Sequence, residues 1–403
     1  LKQGIGKTAK PERLSPKTAK ALYGKNIFSS VSRLERFAGC PFSFFAEYGL
    51  KAEERRLYQL NTPDLGSLFH EVLELFSNKL EQDSLPWTSL TKEETTARIH
   101  AAVEDAAPRL GNRILLDSAA NQYLIRRLKR ISTRAAWTLV QHLQQGDFVP
   151  AGYEVGFGAH EALPPIVIRL QDGGSLILNG KIDRVDLLDA NGTRYVKIID
   201  YKSGNKTFHF QDIYYGLQLQ LLVYLDAYLK YYKKTGASFK PGGVFYFRIT
   251  DPTLALDEEL SAETIEKILY EKMRMSGLLL QEDVLIHGLD HSLAESRSSA
   301  IVPVGYTKKG DPTAASNLAT EEQYAAILDF VATRTQELGD AMKAGIITPA
   351  PYRDGQRTPC SYCSYRSLCR HSYGEAPRWR KLKKIDKADF WESITPKQPT
   401  ETE

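Results

Sequence analysis

The fold of this chain is decided by the stretch from Leu176 to Gly204, LILNGKIDRVDLLDANGTRYVKIIDYKSG. Two runs rich in β-branched and apolar residues flank Asn191-Gly192, a pair that favours the tight two-residue turn of a β-hairpin. Pairing outward from that turn places Asp183 directly opposite Asp200, unless a bulge intervenes. Side chains alternate along a strand, so Lys202 lies on the same face as Asp200. The sequence therefore predicts two carboxylates and a lysine that converge on one point.

The positions of the two acids favour a metal ion between them. Facing carboxylates repel each other and destabilise a sheet unless a cation lies between them. Ile182 precedes the first acid and Ile198-Ile199 precedes the second, so both acids end apolar strands, where charges are rarely left unpaired. Carboxylate oxygens in this arrangement suit Mg²⁺ or Mn²⁺. Each residue alone would be an ordinary surface charge, but the convergence of all three favours a catalytic site.

Length, composition and charge set the broad class. The 403 residues are enough for one large domain or two ordinary ones, and 42% hydrophobic residues can bury a core. With no apolar run of about 18 residues and no signal peptide, we expect a soluble, cytoplasmic protein with no membrane partner. The net charge of +4 permits nucleic acid as a partner without demonstrating it. A basic cluster at residues 126–134 is either a solvated helix face or a surface that contacts phosphates. Because the first residue is Leu1, we expect a fragment of a longer protein.

Two helical segments carry further polar candidates. Around His70, apolar residues recur at helical spacing from Leu65 to Leu80. This histidine is therefore either a satisfied core residue or a metal ligand. Gln220 and Tyr224 lie one turn apart on a later, largely apolar helix. They are either a helix-packing pair or two polar groups that face the site.

The four cysteines form the second strong signal. Cys360, Cys363 and Cys369 are closely spaced, and Cys40 is the remaining thiol that completes a set of four. Four cysteines are too few for a disulfide scaffold in a chain of this size, so the pattern indicates metal ligation rather than a chance cluster. Four thiolates hold either zinc or an iron–sulfur cluster. Either one would tie the two ends of the domain together.

Taken together, these motifs resemble the RecB-type nuclease branch of the PD-(D/E)XK superfamily. Asp200-Tyr201-Lys202 matches the D-x-K element of that branch, and Gly180-Lys-Ile-Asp-Arg184 matches the preceding G-x-x-D-R strand. Gly66-Ser-Leu-Phe-His70 is similar to the helix that carries the branch's histidine, and Gln220-Leu-Leu-Val-Tyr224 to its Q-L-x-x-Y helix. More narrowly, the chain from Phe28 to His371 resembles the C-terminal nuclease region of the AddB family, whose members belong to bacterial AddAB helicase–nucleases.

The resemblance implies roles for these residues. The implied ligands of Mg²⁺ or Mn²⁺ are His70, Asp183, Asp200 and the backbone carbonyl of Tyr201. Lys202 would assist the attacking water, while Gln220 and Tyr224 would support the site near DNA. In the AddB family, an early cysteine in a Cys-Pro-Phe context and three late cysteines hold a 4Fe–4S cluster. The residues that fit this pattern are Cys40, Cys360, Cys363 and Cys369.

We therefore predict an α/β fold of the PD-(D/E)XK restriction-endonuclease-like type, with a central mixed sheet flanked by helices and an iron–sulfur staple. Residues 1–27 are expected to form a linker or arm, and residues 28–375 the nuclease domain. A helical insertion is predicted at residues 82–150. A basic, mobile tail is predicted at residues 376–403.

The function predicted from this resemblance is that of a Mg-dependent deoxyribonuclease of the exonuclease type. It would act on single-stranded DNA ends from unwound duplex, with an AddA-like helicase–nuclease as partner, in double-strand break repair and recombination. One alternative is a non-catalytic DNA-binding or assembly module held by a metal cluster. Another is a stand-alone iron–sulfur exonuclease of the kind that serves CRISPR adaptation.

Overall fold

The computed structural model describes residues 12–53, 62–109, 119–254, 259–369, 371 and 379–395. In chain order its helices are α1 (Pro16–Tyr23), α2 (Val31–Gly39), α3 (Pro41–Phe44), α4 (Thr62–Gln82), α5 (Lys92–Ala106), α6 (Ala119–Gln144), α7 (Phe210–Tyr214), α8 (Gln220–Lys234), α9 (Ala262–Lys272), α10 (Asp283–Leu289), α11 (Glu321–Lys343), α12 (Arg366–Cys369) and α13 (Lys387–Ile394). Its strands are β1 (Asn26–Ser29), β2 (Val149–Phe157), β3 (Ile166–Arg169), β4 (Ser175–Leu178), β5 (Gly180–Ala190), β6 (Thr193–Lys202), β7 (Phe239–Arg248), β8 (Ser276–Leu280), β9 (Leu318–Ala319), β10 (Tyr352–Arg353) and β11 (Arg380–Lys381).

A six-stranded mixed sheet forms the centre of the domain, in the order β2-β5-β6-β7-β8-β9. β2, β5 and β6 are antiparallel neighbours, whereas β7 runs parallel to β6. Most residues of β6 and β7 are buried, which shows that helices cover both faces of the sheet. A smaller sheet has the order β1-β4-β3. This architecture confirms the predicted fold class.

β5 and β6 form the predicted hairpin. Asn191 and Gly192 have φ angles of 51° and 76°, the left-handed conformations that a two-residue turn of this kind needs. The pairing runs without a bulge from the turn to Arg184, which lies opposite Ile199. Asp183 and Asp200 are the next residues outward on the two strands. The turn therefore brings both acids to the same end of the hairpin.

Helices cover the two faces of the sheet with different roles. On one face α4, α5 and α6 pack together, and His142 of α6 meets the ring of Phe247 in β7. On the other face α8 lies along β6 and β7, and its first residue, Gln220, contacts Asp200. Tyr201 lies between two residues that face α8, so its ring turns to the opposite face and meets Phe247. Asp200 and Lys202 therefore face α8, while α4, α5 and α6 cover the other face.

A buried ion cluster connects the hairpin to Trp87, which precedes α5. Nε of Arg184 lies 2.6 Å from Oδ1 of Asp186, and Nζ of Lys197 lies 2.9 Å from its Oδ2. The guanidinium of Arg184 lies over the ring of Trp87, 4.7 Å from its centre. All three charged groups are buried. Loss of one partner would leave an unpaired buried charge, which costs about 3–5 kcal/mol.

Both ends of the described chain pack on the domain, which differs from the sequence prediction. Of the linker or arm predicted at residues 1–27, the described part forms α1, which packs on α11, and the start of β1. Within the mobile tail predicted from residue 376, α13 buries Phe390 and Trp391 against Phe210. So short a helix is stabilised by tertiary packing, which local sequence does not reveal.

None of the helices in the described part of the chain combines the length and the apolar character that spanning a membrane requires.

Candidate active site

Asp183 lies just before the paired part of the hairpin and is held from two sides. Its Oδ2 accepts a hydrogen bond of 2.5 Å from the backbone N–H of Tyr201. Its Oδ1 lies 3.3 Å from Nδ1 of His70. Since the carboxylate is also buried, its orientation is set jointly by β6 and α4.

His70 reaches the site because α4 passes close to the end of β6. At Gly66, one turn earlier on α4, a Cβ would lie 2.9 Å from Oγ of Ser203, so glycine permits this approach. Burial disfavours the charged imidazole, but the hydrogen bond and charge of Asp183 outweigh it, so the pKa of His70 lies above its ordinary value. The residue that the sequence left open between core packing and metal ligation thus lies beside the first acid.

Asp200 and Lys202 form the second half of the site. Nζ of Lys202 contacts the carboxylate of Asp200, and Nε2 of Gln220 donates a hydrogen bond of 2.6 Å to its Oδ1. Burial and the charge of Asp183 raise the pKa of Asp200 to about 6. Burial also disfavours the charged form of Lys202, but Asp200 and Asp183 outweigh it, so the pKa of Lys202 lies above its ordinary value. Lys202 is therefore a cation at neutral pH.

Sequence reasoning missed Glu154, a third carboxylate at this point. The pairing of β2 with β5 brackets it, because Tyr153 and Val155 lie opposite the residues on either side of Asp183. Glu154 has a φ of 48°, a left-handed conformation that is uncommon outside glycine, asparagine and aspartate. An acid in an otherwise small and apolar strand is the signal that could have found it. Its register against β5, however, depends on a bulge at Pro150/Gly152.

Glu154 completes a compact group of ligand atoms. One ligand atom from each of His70, Glu154 and Asp183 lies within 4.8 Å of the other two, which makes these residues a candidate metal-binding group in the described part of the chain. Burial and the charges of Asp183 and Glu74 raise the pKa of Glu154 to about 7. Burial and the neighbouring carboxylates thus disfavour the charged form of Glu154. This donor set of carboxylates and an imidazole fits a divalent cation.

The start of α8 is anchored so that Gln220 and Tyr224 reach the site. Glu35 of α2, a second residue that sequence reasoning missed, accepts hydrogen bonds from the backbone N–H groups of Leu219 and Gln220 at 2.8 and 3.0 Å. At Gly180 a Cβ would lie 2.2 Å from the hydroxyl of Tyr224. The glycine that opens the G-x-x-D-R strand is therefore required by the tyrosine of α8.

The cysteines bring distant segments of the chain together. Cys40 is buried between α2 and α3, and Oγ of the nearby Ser43 lies 3.9 Å from Sγ of Cys363. Cys360 and Cys369 line a cavity of about 160 Å³. All four thiols are free, so no disulfide competes for them. Burial raises the pKa of the Cys40 thiol to about 11, so its thiolate would need a bound cation.

The sequence from residue 29 to residue 370 matches the PD-(D/E)XK nuclease superfamily. The chain belongs to that superfamily. The match includes the hairpin, the histidine helix and α8, which are the elements that the sequence analysis compared with its nuclease branch.

Three curated relatives of this PD-(D/E)XK chain share one name, which describes the B subunit of an ATP-dependent helicase/deoxyribonuclease. The protein of Alkaliphilus oremlandii is 42% identical over 93% of this chain and 33% of its own length. That of Alkaliphilus metalliredigens is 45% identical over 87% of this chain and 30% of its own length. That of a Thermoanaerobacter species is 38% identical over 93% of this chain and 33% of its own length. The chain thus spans about a third of the curated relatives it matches, and their names confirm the AddB-type resemblance.

The predicted ligands of the PD-(D/E)XK site are not equally placed. His70 and Asp183 belong to the compact group, whereas Asp200 lies beside it, bonded to Lys202 and Gln220. The ring of Tyr201 packs against the rings of Phe247 and His70, so the group that it offers as a ligand is the backbone carbonyl. The part that this carbonyl plays is still a prediction.

Proposed function

We propose that this chain is the nuclease region of an AddAB-type helicase–nuclease and hydrolyses DNA phosphodiester bonds with Mg²⁺ or Mn²⁺. The observation that carries the proposal is the hydrogen-bonded, ion-paired set of Asp183, His70, Asp200 and Lys202 at one end of the hairpin. A domain retained only for assembly would not need a buried acid pair with a charged lysine. The intact set therefore speaks against the non-catalytic alternative.

Four side chains and one backbone group are proposed to hold the metal ion. They are His70, Glu154, Asp183, Asp200 and the carbonyl of Tyr201. A divalent ion bound there would acidify a water molecule and stabilise charge on the phosphate. Before it binds, Asp183 is already oriented by the N–H of Tyr201, and Asp200 by the amide of Gln220. The ligands are thus pre-positioned by the fold.

Lys202 is proposed to act as a fixed cation. Its raised pKa keeps the ammonium group charged at neutral pH, so it can neutralise the substrate phosphate or orient the attacking water rather than accept a proton. Oε1 of Gln220 accepts from Nζ of Lys202 at 3.4 Å while its Nε2 bonds to Asp200. One amide therefore sets the spacing between the acid and the lysine.

The substrate and partner follow from the relatives' name. The word deoxyribonuclease in that name supports DNA as the substrate, and the word subunit supports a further protein chain as partner. We propose that an AddA-like helicase–nuclease supplies single-stranded ends in the cytoplasm during double-strand break repair and recombination, and that this chain trims them as an exonuclease.

For the thiols, the proposal is a 4Fe–4S cluster held by Cys40, Cys360, Cys363 and Cys369. The nearby positions of Ser43 and Cys363 support this tie between distant segments.

Cleavage of single-stranded DNA by purified protein in Mg²⁺ or Mn²⁺ tests the proposal. Asp200→Ala should lower the rate by at least about 100-fold, because it removes an acid from the metal and leaves Lys202 unpaired. The matched control is Asp189→Ala, an exposed acid of the same hairpin that pairs with Arg194. Equal cleavage by wild type and Asp200→Ala would refute the mechanism.

A further inference from the structure

A basic pocket lies between α5, α6 and α9, outside the metal site. Its volume is about 580 Å³, and six cationic side chains line it. The cationic side chains are Lys92, Arg126, Lys129, Arg130, Arg134 and Lys267. Residues 126–134, which the sequence left open between a solvated face and a phosphate-contacting surface, supply four of these six.

The charges of this pocket are only partly neutralised. Arg130 pairs with Asp251 at 2.7 Å, and Lys129 pairs with Glu104 at 2.6 Å. Arg134 lies 3.5 Å from both Asp251 and Glu266, an acid of the pocket lining. Arg126 forms no ion pair with any described residue. The same holds for Lys92 and Lys267, which face the pocket from α5 and α9. An excess of positive charge on three converging helices attracts a polyanion.

The walls between the cations suit a single nucleic-acid strand. Trp137 and Tyr270 are half-buried aromatic residues that line the pocket. Oγ1 of Thr133 is buried there without a hydrogen-bond partner among the described residues. Aromatic faces combined with cations are how proteins bind single strands without sequence preference, since bases stack while phosphates are neutralised.

The chain that follows β7 links one wall of the pocket to the strand end beside Lys202. Arg248, the last residue of β7, lies opposite Lys202 in the sheet. Asp251 follows three residues later, at most about 10 Å of extended chain, and binds Arg130 on the pocket wall. The pocket lies on the α5–α6 face of the sheet and Lys202 on the α8 face, so a DNA strand bound in the pocket would pass around these strand ends to reach the lysine.

From this placement we infer that the pocket between α5, α6 and α9 binds the sugar-phosphate backbone of single-stranded DNA and holds the substrate strand beside the metal site. The inference rests on the proposed nuclease function. Because the contacts are to phosphates, binding depends on salt and little on base sequence.

The experiment measures binding of a fluorescent oligothymidylate to the full 403-residue chain by anisotropy, in chelator so that no cleavage occurs. The test variant is Arg126→Gln/Lys267→Gln. The matched control is Lys233→Gln/Lys234→Gln, which removes the same charge at the far end of α8, about 20 Å from Gln220. A salt series on all three proteins gives the number of phosphate contacts.

We expect the test variant to bind about 5- to 20-fold more weakly, with a salt dependence shallower by about 1.4 for two lost phosphate contacts. The control should match wild type. Equal weakening of both variants, or none in the test variant, would overturn the inference. Cleavage by wild type in Mg²⁺ or Mn²⁺ is scored separately, so an active enzyme with unchanged binding refutes the pocket but not the nuclease.

Discussion

The carboxylate of Asp183 joins β6 to α4, because one oxygen accepts the N–H of Tyr201 at 2.5 Å and the other lies 3.3 Å from Nδ1 of His70. The first contact explains how two acids can lie at the end of one hairpin. Asp183 is turned toward the backbone of the partner strand, so it does not simply face Asp200. The carboxylate of Asp200 in turn forms an ion pair with Lys202 and accepts a hydrogen bond from Gln220.

Asp183→Asn should abolish cleavage while the fold persists. The amide keeps an oxygen for the N–H of Tyr201 but loses the charge that a metal ion needs, so we expect at least about a 100-fold lower rate. The same change should lower the pKa of His70, because the charge and hydrogen bond of Asp183 are what raise it. NMR titration of the imidazole measures that shift without any metal. An unchanged His70 pKa would contradict the geometry.

Glu154→Gln should stabilise the metal-free protein and weaken its metal binding. The folded state raises the pKa of Glu154 to about 7 from an ordinary 4.5, so the folded state binds the proton more tightly, and stability is lost as pH rises from 4.5 to 7. Above that window, removing the charge should raise the free energy of unfolding by about 1–3 kcal/mol. Denaturation in chelator measures the stability, and calorimetric titration with Mn²⁺ measures the binding. Weaker metal binding without added stability would place Glu154 outside the cluster of like charges.

His142 should make the domain sensitive to acid. It is buried beside Phe247 and Tyr270, and burial together with the charges of Lys197 and Arg184 lowers its pKa to about 3. The unfolded chain takes up a proton near 6.5 while the folded chain does not, so stability falls by about 1.4 kcal/mol per pH unit between 6.5 and 3. His142→Leu should flatten this part of the stability profile, whereas replacement of the exposed His160 should not. Parallel profiles for His142→Leu and wild type would show that this histidine titrates normally.

The thiol site should hold iron and stabilise the whole domain. Protein purified without oxygen should be brown, with broad absorption near about 400 nm. Cys40→Ala should remove the colour and lower the free energy of unfolding by about 3 kcal/mol or more, since metal binding and folding are coupled. Cys369→Ser, whose thiol is less buried, separates loss of the metal from loss of packing. Colourless protein with bound zinc would refute the iron assignment.

Local sequence was enough to predict the hairpin and its acids, because a two-residue turn fixes the pairing of the strands that flank it. Glu154 could not be predicted in this way. It comes from a strand that is not adjacent in sequence, and its register depends on a bulge and on the packing of distant elements. Similarly, the helix that buries Phe390 and Trp391 is defined by what it contacts, not by its own eight residues. His70 is an intermediate case, since its helix could be predicted from the spacing of apolar residues but its role could be inferred only from a family resemblance.

The contact between Ser43 and Cys363 also orders events during synthesis. These residues are 320 positions apart, so at about 5–20 residues per second roughly 15–65 s pass between their emergence from the ribosome. His70, Asp183, Asp200 and Lys202 are all translated within that interval. The metal cluster proposed across this contact could form only after every proposed catalytic residue has been made. Chains that are truncated before Cys363 would therefore lack the cluster, and only chains that contain all of these residues could form it.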